Sequence, residues 1–115
     1  MIFPTREQSG VLIVAISGRI DHVGSESFAQ SLDPLLEQCS TGKPAVLLDF
    51  SAVEYVSSAG LRILMLASRR AKAQGGTFAI ACLQPLVQEI FSISRFNLIM
   101  PCYTNIELAC KAVGS

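Results

Sequence analysis

The amino-acid sequence predicts an α/β fold with a central mixed β-sheet and about four α-helices, and three observations lead to this class. The chain has 115 residues, of which 50% are hydrophobic, as is usual for one domain with one core. Two β-rich segments near the start are joined by the turn signal Ser9-Gly10, which predicts an antiparallel hairpin. After residue 18, strand-like runs alternate with helical periods, and this alternation requires crossovers between parallel strands. We therefore expect a single domain over residues 1–115.

The hairpin and the first helix occupy the first third of the chain. The hairpin strands are expected over residues 1–7 and 11–17. From a start near Ser25, apolar residues recur at helical spacing, and these are Phe28, Leu32, Leu35 and Leu36. Pro34 lies inside this helix and cannot donate a backbone hydrogen bond, so we expect a kink or a break into two short helices there.

The remaining elements alternate between strand and helix. Their predicted ranges are 45–50, 57–74, 77–82, 85–91, 98–103 and 104 onward. The first is an apolar run interrupted only by Asp49, as expected of a central strand. Gly75-Gly76 supplies a stop for the second helix, and Pro85 suits the first position of the third. Thr104 and Glu107 have the spacing of a capping box, which predicts that the last helix begins at Thr104.

The cysteines do not indicate a metal site or a disulfide framework. Cys39, Cys82, Cys102 and Cys110 lack the C-x-x-C spacing of metal ligands. A chain of this length buries enough surface to fold without such staples. We therefore expect buried free thiols and a reducing cytosol. The sequence also lacks a P-loop and a dinucleotide fingerprint, so we predict no cofactor.

Charge and hydropathy exclude two classes of partner. Nine basic and nine acidic residues give a formal net charge of zero, without the basic excess that nucleic-acid binding usually requires. The longest apolar runs, residues 11–16 and 63–67, are far shorter than the roughly 20 residues that span a bilayer. Residues 1–8 do not resemble a secretory signal. We expect a cytoplasmic protein that neither binds nucleic acid nor inserts into the membrane.

The segment 49–62 leads from the central strand into the second helix and contains two adjacent serines, Ser57 and Ser58. Either hydroxyl can cap the helix by accepting a hydrogen bond from a backbone amide one turn in. The same free amides, with the positive end of the helix dipole, would also stabilise a phosphate on either hydroxyl. Spacing alone favours a plain cap but is compatible with both roles.

Four segments together carry a resemblance to a known family. They are Gly18-Arg19-Ile20-Asp21, Val46-Leu47-Leu48-Asp49-Phe50, Ser57-Ser58-Ala59-Gly60-Leu61 and Gly75-Gly76. Across essentially its whole length, the chain resembles the STAS domain. This family includes the bacterial anti-sigma factor antagonists and related domains attached to anion transporters.

The resemblance implies a function and a modified residue. In the antagonists, the serine two positions before the turn glycine is phosphorylated by an anti-sigma factor that is also a kinase. With Gly60 as that glycine, the acceptor here is Ser58. Ser57 stands where the best-matched antagonists often have aspartate. Asp21 matches an acidic residue near the acceptor, where it would orient the hydroxyl or repel the phosphate; alternatively, it hydrogen-bonds within its own loop.

The second helix has an outer face that is expected to bind the partner. Its core face comprises Ile63, Leu64, Ala67, Ser68 and Ala71. At about 100° per residue, Arg62 and Arg69 lie on the opposite side, flanked by Met65 and Leu66. Each residue alone is compatible with a solvated face, but Met and Arg are enriched at protein interfaces. We predict that this face binds the anti-sigma factor and that phosphate on Ser58 weakens the contact.

Two rival functions are considered. Ser58-Ala59-Gly60 resembles the nucleophile elbow of hydrolases, with Asp21 and His22 as triad partners. However, Val56 replaces the first elbow glycine, and adjacent acid and base residues cannot easily line up behind one serine. We therefore expect a binding module and not an enzyme. The second rival is a STAS module of a signalling complex or membrane transporter that has no role with a sigma factor.

Overall fold

Five strands and four helices are present in the computed structural model, which describes residues 3–113. The strands are β1 (Thr5–Gln8), β2 (Val11–Ile20), β3 (Ala45–Val56), β4 (Phe78–Ala81) and β5 (Cys102–Tyr103). The helices are α1 (Ser25–Glu37), α2 (Ser58–Ala73), α3 (Pro85–Ile93) and α4 (Ile106–Val113). A short 3-10 turn, Phe96–Leu98, follows α3.

The strands form one mixed sheet in the order β1-β2-β3-β4-β5. The first pair is antiparallel and the other three pairs are parallel. This arrangement confirms the predicted hairpin followed by crossover connections. Ser9 and Gly10 both adopt positive φ in the hairpin turn, at 54° and 76°. Residues 1 and 2, which were included in the predicted first strand, lie outside the described residues.

Alternating strand residues separate the core into two layers, because successive side chains of a strand point to opposite faces. Residues of α1, α2 and α3, including Phe28, Leu64 and Phe91, share the larger cluster with Leu48. Ala109 and Cys110 of α4 share the smaller cluster with alternate strand residues. The sheet is therefore covered by three helices on one face and by α4 on the other.

Several predicted elements differ from the structure. The helix α1 is not broken at Pro34, because Pro34 and Gln30 both lie on its exposed side, where water can satisfy the released carbonyl. The predicted strand 98–103 is reduced to its last residues, since Arg95 adopts a left-handed φ of 57° and begins the 3-10 turn. The last helix begins at Ile106.

The cap of α4 explains its later start. The Leu108 amide donates to Oδ1 of Asn105 over 2.8 Å. Asn105 therefore fills the cap position that the capping-box pattern assigned to Thr104, and the pattern was wrong by one residue. The starts predicted near Ser25, Ser57 and Pro85 are confirmed.

The cysteines are free thiols, but only two are buried. Cys39 and Cys110 are buried as predicted, whereas Cys82 and Cys102 are half-buried. Burial raises the pKa of the Cys102 thiol to about 11. Among residues 3–113, no group of histidine, cysteine and acidic side chains is arranged to hold a metal ion. In the same residues, no helix combines the length and apolar character needed to cross a bilayer.

Candidate functional site

The two loops that carry the predicted site residues lie side by side at the carboxyl edge of the sheet. Strands β2 and β3 run parallel, and Ile20 pairs with Val56 at their ends. The Ser57 amide then donates to the Ile20 carbonyl over 2.8 Å. Asp21 and Ser57 are thus the next residues after two hydrogen-bonded strand ends. This edge is where α/β sheets commonly place ligand and signal sites.

The two adjacent serines have different positions. Ser57 has extended backbone angles, and its Oγ accepts a hydrogen bond from the Gly60 amide over 3.2 Å. Ser57 is therefore the N-cap of α2. Ser58 is the first helical residue and is exposed. The structure therefore shows that the capping oxygen belongs to Ser57 and that the residue beside it, Ser58, is exposed.

Gly60 allows α2 to begin directly against the strand ends. A Cβ atom on Gly60 would lie 2.7 Å from Cγ2 of Ile20 and 3.0 Å from both the Ile20 carbonyl oxygen and Cγ1 of Val56. These separations are shorter than normal carbon contacts. The absence of a side chain at Gly60 therefore fixes how closely the Ser58 turn approaches the sheet.

Asp21 organises its own loop. Its Oδ1 accepts a hydrogen bond from the Gly24 amide over 2.9 Å, while the His22 carbonyl accepts one from Oγ of Ser25. The within-loop role predicted as one alternative for Asp21 is thus present. The Asp21 bond goes to the loop and not to the exposed His22, so this geometry does not resemble the triad of the hydrolase alternative.

Of the four residues predicted to form the outer face of α2, three are exposed and one is half-buried. Arg62 and Arg69 are exposed, and Leu66 is 52% exposed. Met65, predicted to be surplus to the core, is half-buried and packs against the larger core cluster. A long thioether side chain on the flank of a buried stripe can fold back onto the core. The exposed outer face therefore consists of Arg62, Leu66 and Arg69.

Sequence reasoning missed two features, one in the Asp21 loop and one between α1 and α2. Val23, in the loop that begins with Asp21, is 91% exposed. The sequence signal for this feature was an apolar residue within a polar loop. Arg70 of α2 forms an ion pair with Asp33 of α1, with 2.6 Å between Nη1 and Oδ1. These partners are far apart in the chain, so no local pattern joins them.

Residues 3–109 match the family model of the STAS domain. The chain is 32% identical over 103 residues to BtrV of Bordetella bronchiseptica, which carries the provisional name anti-sigma factor antagonist. That match covers 90% of this chain and 86% of BtrV. An anti-sigma F factor antagonist of Paenibacillus polymyxa is 29% identical over 98 residues, covering 84% of this chain and 80% of the relative.

Solved structures share the fold. The crystal structure of an anti-sigma factor antagonist from Mycobacterium paratuberculosis is 25% identical with a TM-score of 0.85, covering 98% of this chain and 93% of that one. Unphosphorylated SpoIIAA is 18% identical with a TM-score of 0.72, covering 98% and 97%. Phosphorylated SpoIIAA of Bacillus is 17% identical with a TM-score of 0.65, covering 96% and 98%. A part of the murine anion transporter Slc26a9 is 20% identical with a TM-score of 0.77; the match covers 93% of this chain and 18% of the transporter.

Proposed function

The chain belongs to the STAS domain family, and we propose that it is an anti-sigma factor antagonist switched by phosphorylation of Ser58. In this proposal the unmodified protein sequesters an anti-sigma factor that has serine kinase activity. It acts in the cytoplasm as a binding module, without catalysis of its own. The observation that carries the proposal is the exposed Ser58 hydroxyl at the first position of α2, beside a cap already supplied by Ser57.

The surroundings of Ser58 suit a phosphate. The first amides of a helix lack partners within the helix, and the dipole places partial positive charge there. The first turn of α2 contains no acidic side chain that would repel a phosphate. Ser57 caps the Gly60 amide, so modification of Ser58 need not remove the cap. The two phosphorylation states solved for SpoIIAA, a protein of the same fold, add support.

Phosphate on Ser58 would alter the surface that meets the partner. A phosphoserine carries nearly two negative charges at neutral pH. Arg62 follows Ser58 by four residues, a spacing at which helical side chains interact. An intramolecular pair between the phosphate and Arg62 would engage this cation, and the remaining charge would have to be desolvated against the partner. Both effects weaken binding by the outer face of α2.

The alternative is a STAS module without a sigma-factor role, since the fold also occurs in part of an anion transporter. The curated relatives named for anti-sigma factor antagonism favour the first proposal. Asp21 supports the phosphoacceptor indirectly in either case, because it shapes the loop next to Ser57.

The test uses a purified kinase-type anti-sigma factor from the same organism. Its affinity is measured for the unmodified protein, for the protein phosphorylated by that kinase, and for Ser58→Ala. We expect Ser58→Ala to bind like the unmodified wild type and to remain insensitive to ATP. Phosphorylation should weaken wild-type binding by about tenfold or more, equivalent to about 1.4 kcal/mol. Failure to bind any such anti-sigma factor, together with recovery in a transporter complex, would favour the alternative.

A further inference from the structure

The neighbouring helices α1 and α2 carry opposite charges. The sequence of α2 contains Arg62, Arg69, Arg70 and Lys72 and no acidic residue. The sequence of the adjacent α1 contains Glu26, Asp33 and Glu37 and no lysine or arginine. A chain with a formal net charge of zero therefore has a basic helix packed beside an acidic one.

Most of the basic charge on the outer face of α2 is unmatched. Among residues 3–113, the Asp33–Arg70 pair is the one salt bridge. Arg62 and Arg69 are exposed, and neither has a carboxylate partner in the described part of the chain. Ser58, Arg62 and Arg69 lie within about 40° of one another around the helix, so two unmatched cations share a stripe with the proposed phosphoacceptor.

An apolar cleft lies beside this stripe, between α1 and α2. Its volume is about 190 Å³, and its lining residues are Ala29, Leu32, Asp33, Leu36, Ile63, Leu66, Ala67 and Arg70. A cavity of about 150 Å³ lined by apolar side chains can hold a benzene ring, so there is room for an apolar side chain. Leu66 joins the two features, because it lines the cleft and is also 52% exposed on the outer face.

We propose that this cleft receives an apolar side chain from an acidic segment of the anti-sigma factor, whose carboxylates lie against Arg62 and Arg69; this inference rests on the proposed function. Charge complementarity selects the acidic character of the segment, because a basic segment would meet two unpaired cations. The apolar lining of the cleft favours an apolar side chain of that segment as the anchor. The Asp33–Arg70 pair forms a polar rim of the cleft.

A partner protein fits this surface better than a membrane does. Binding to anionic lipid usually requires clusters of roughly four to eight basic residues beside a broad apolar face. Of the four basic residues of α2, Arg70 is paired with Asp33, and the outer face has only the two cations Arg62 and Arg69. Leu66 is the one large apolar side chain that is strongly exposed on the described α2. The surface is therefore specific for a segment that combines an anchor with a few carboxylates.

An acidic segment in the partner would also explain how phosphorylation of Ser58 weakens binding directly. A phosphate on Ser58 would lie on the same stripe as the carboxylates of the bound segment and would repel them. Binding of the unmodified protein should consequently weaken as salt is raised, since the exposed charge pairs are screened.

The experiment measures affinity for the anti-sigma factor of the preceding test with matched variants. Leu66→Ala removes the anchor contact, and Leu108→Ala on α4 is its control, because Leu108 is 49% exposed on the other face of the sheet. Arg69→Glu reverses one unmatched charge, and Lys111→Glu on α4 makes the same charge change away from the cleft. We expect about tenfold or greater weakening for Leu66→Ala and Arg69→Glu. The controls should remain within about twofold of the wild type, and Arg69→Glu should show less salt dependence.

The outcomes separate this inference from the proposed function. If the wild type binds but Leu66→Ala and Arg69→Glu bind as well as their controls, the cleft proposal is wrong while the proposed function stands. If the wild type does not bind the anti-sigma factor at all, both fall. A third arm uses phosphatidylserine vesicles. Vesicle binding by the wild type that is lost in Arg69→Glu, with anti-sigma binding unchanged, would assign the basic face to a membrane and overturn the inference.

Discussion

The two ends of α2 differ in how their polar groups are used. At the C-terminal end, Nε2 of Gln74 donates to the Leu36 and Cys39 carbonyls over 2.7 and 2.8 Å. The chain then turns through Gly75 at a φ of 76°. At the N-terminal end, Ser57 supplies one capping bond and the Ser58 hydroxyl remains exposed. Side-chain hydrogen bonds thus tie the C-terminal end to the residues after α1, while the N-terminal end leaves the Ser58 side chain exposed.

Both ends also depend on a glycine at a close contact. At the N-terminal end, Gly60 meets side-chain and backbone atoms of the neighbouring strands. At the C-terminal end, a Cβ on Gly76 would meet only backbone atoms of Cys39 and Ser40. Backbone atoms cannot rotate away as a side chain can, so an added Cβ is tolerated less well at Gly76 than at Gly60. If the comparison is correct, the largest losses of stability follow changes at the C-terminal end, while recognition at the N-terminal end depends on Ser58.

The largest loss of stability is expected for Gly76→Ala. Its Cβ would overlap the Cys39 carbonyl oxygen, and overpacking of this kind costs about 3 kcal/mol. Chemical denaturation should report that loss, while the affinity of the folded fraction for the partner stays unchanged. Gly24→Ala is the control, because its added Cβ would approach Oδ1 of Asp21 only to 3.4 Å. Equal stability of the two variants would contradict the contact.

A smaller loss is expected for Gln74→Ala. This change removes the hydrogen bonds to the Leu36 and Cys39 carbonyls, and we expect the free energy of unfolding to fall by about 1–2 kcal/mol. Gln38→Ala, at an exposed position one residue after α1, should change it by less than about 0.5 kcal/mol. A loss no greater than that of the control would show that the C-terminal end is not held by Gln74.

Removal of the cap at the N-terminal end should cost about 1 kcal/mol. Ser57→Ala deletes the oxygen that accepts from the Gly60 amide, and loss of such a cap is typically of this size. Urea denaturation measures the change. Phosphate transfer to Ser58 should persist, because the acceptor hydroxyl is untouched. If Ser57→Ala kept full stability but lost phosphorylation, the roles of the two serines would have to be exchanged.

The smallest effect is expected for the thiol of Cys39, the residue whose carbonyl accepts from Gln74 at the C-terminal end of α2. Burial raises the pKa of Cys39 above its ordinary 9.0, and a backbone hydrogen bond with Val46 opposes this rise. The unfolded chain loses the thiol proton first, so this contribution to stability is present below pH 9.0 and is lost as pH rises through the higher folded pKa. Urea denaturation at pH 8 and pH 10 should show a shallower alkaline decline in Cys39→Ala. An unchanged decline would exclude a contribution from this thiol.

Local signals predicted most of the fold. Gly75-Gly76 ends α2 and Pro85 opens α3, because backbone freedom and restriction act within a few residues. The strand β3 was predicted too short. Its second half, up to Val56, is held by pairing with Ser17–Ile20 of β2 through two register shifts, and these shifts disturb the alternation that would reveal a strand.

The candidate site was predicted in part for the same reason. A serine cap follows from the helix start, although spacing alone left both serines possible, and only the family resemblance pointed to Ser58 as the phosphoacceptor. The burial of Met65 and the pairing of Asp33 with Arg70 depend on how α1 and α2 pack, which no local pattern specifies. Tertiary contacts thus leave Met65 half-buried against the core and form the cleft beside Leu66.

The most direct test of the central claim is to locate the phosphate. The protein is incubated with ATP and its kinase-type anti-sigma factor, and the modified residue is identified by mass spectrometry in the wild type, Ser57→Ala and Ser58→Ala. We predict phosphate on Ser58 in the wild type and in Ser57→Ala, and none in Ser58→Ala. Phosphate on Ser57, or continued labelling of Ser58→Ala, would contradict the assignment of the cap to Ser57 and of the switch to Ser58.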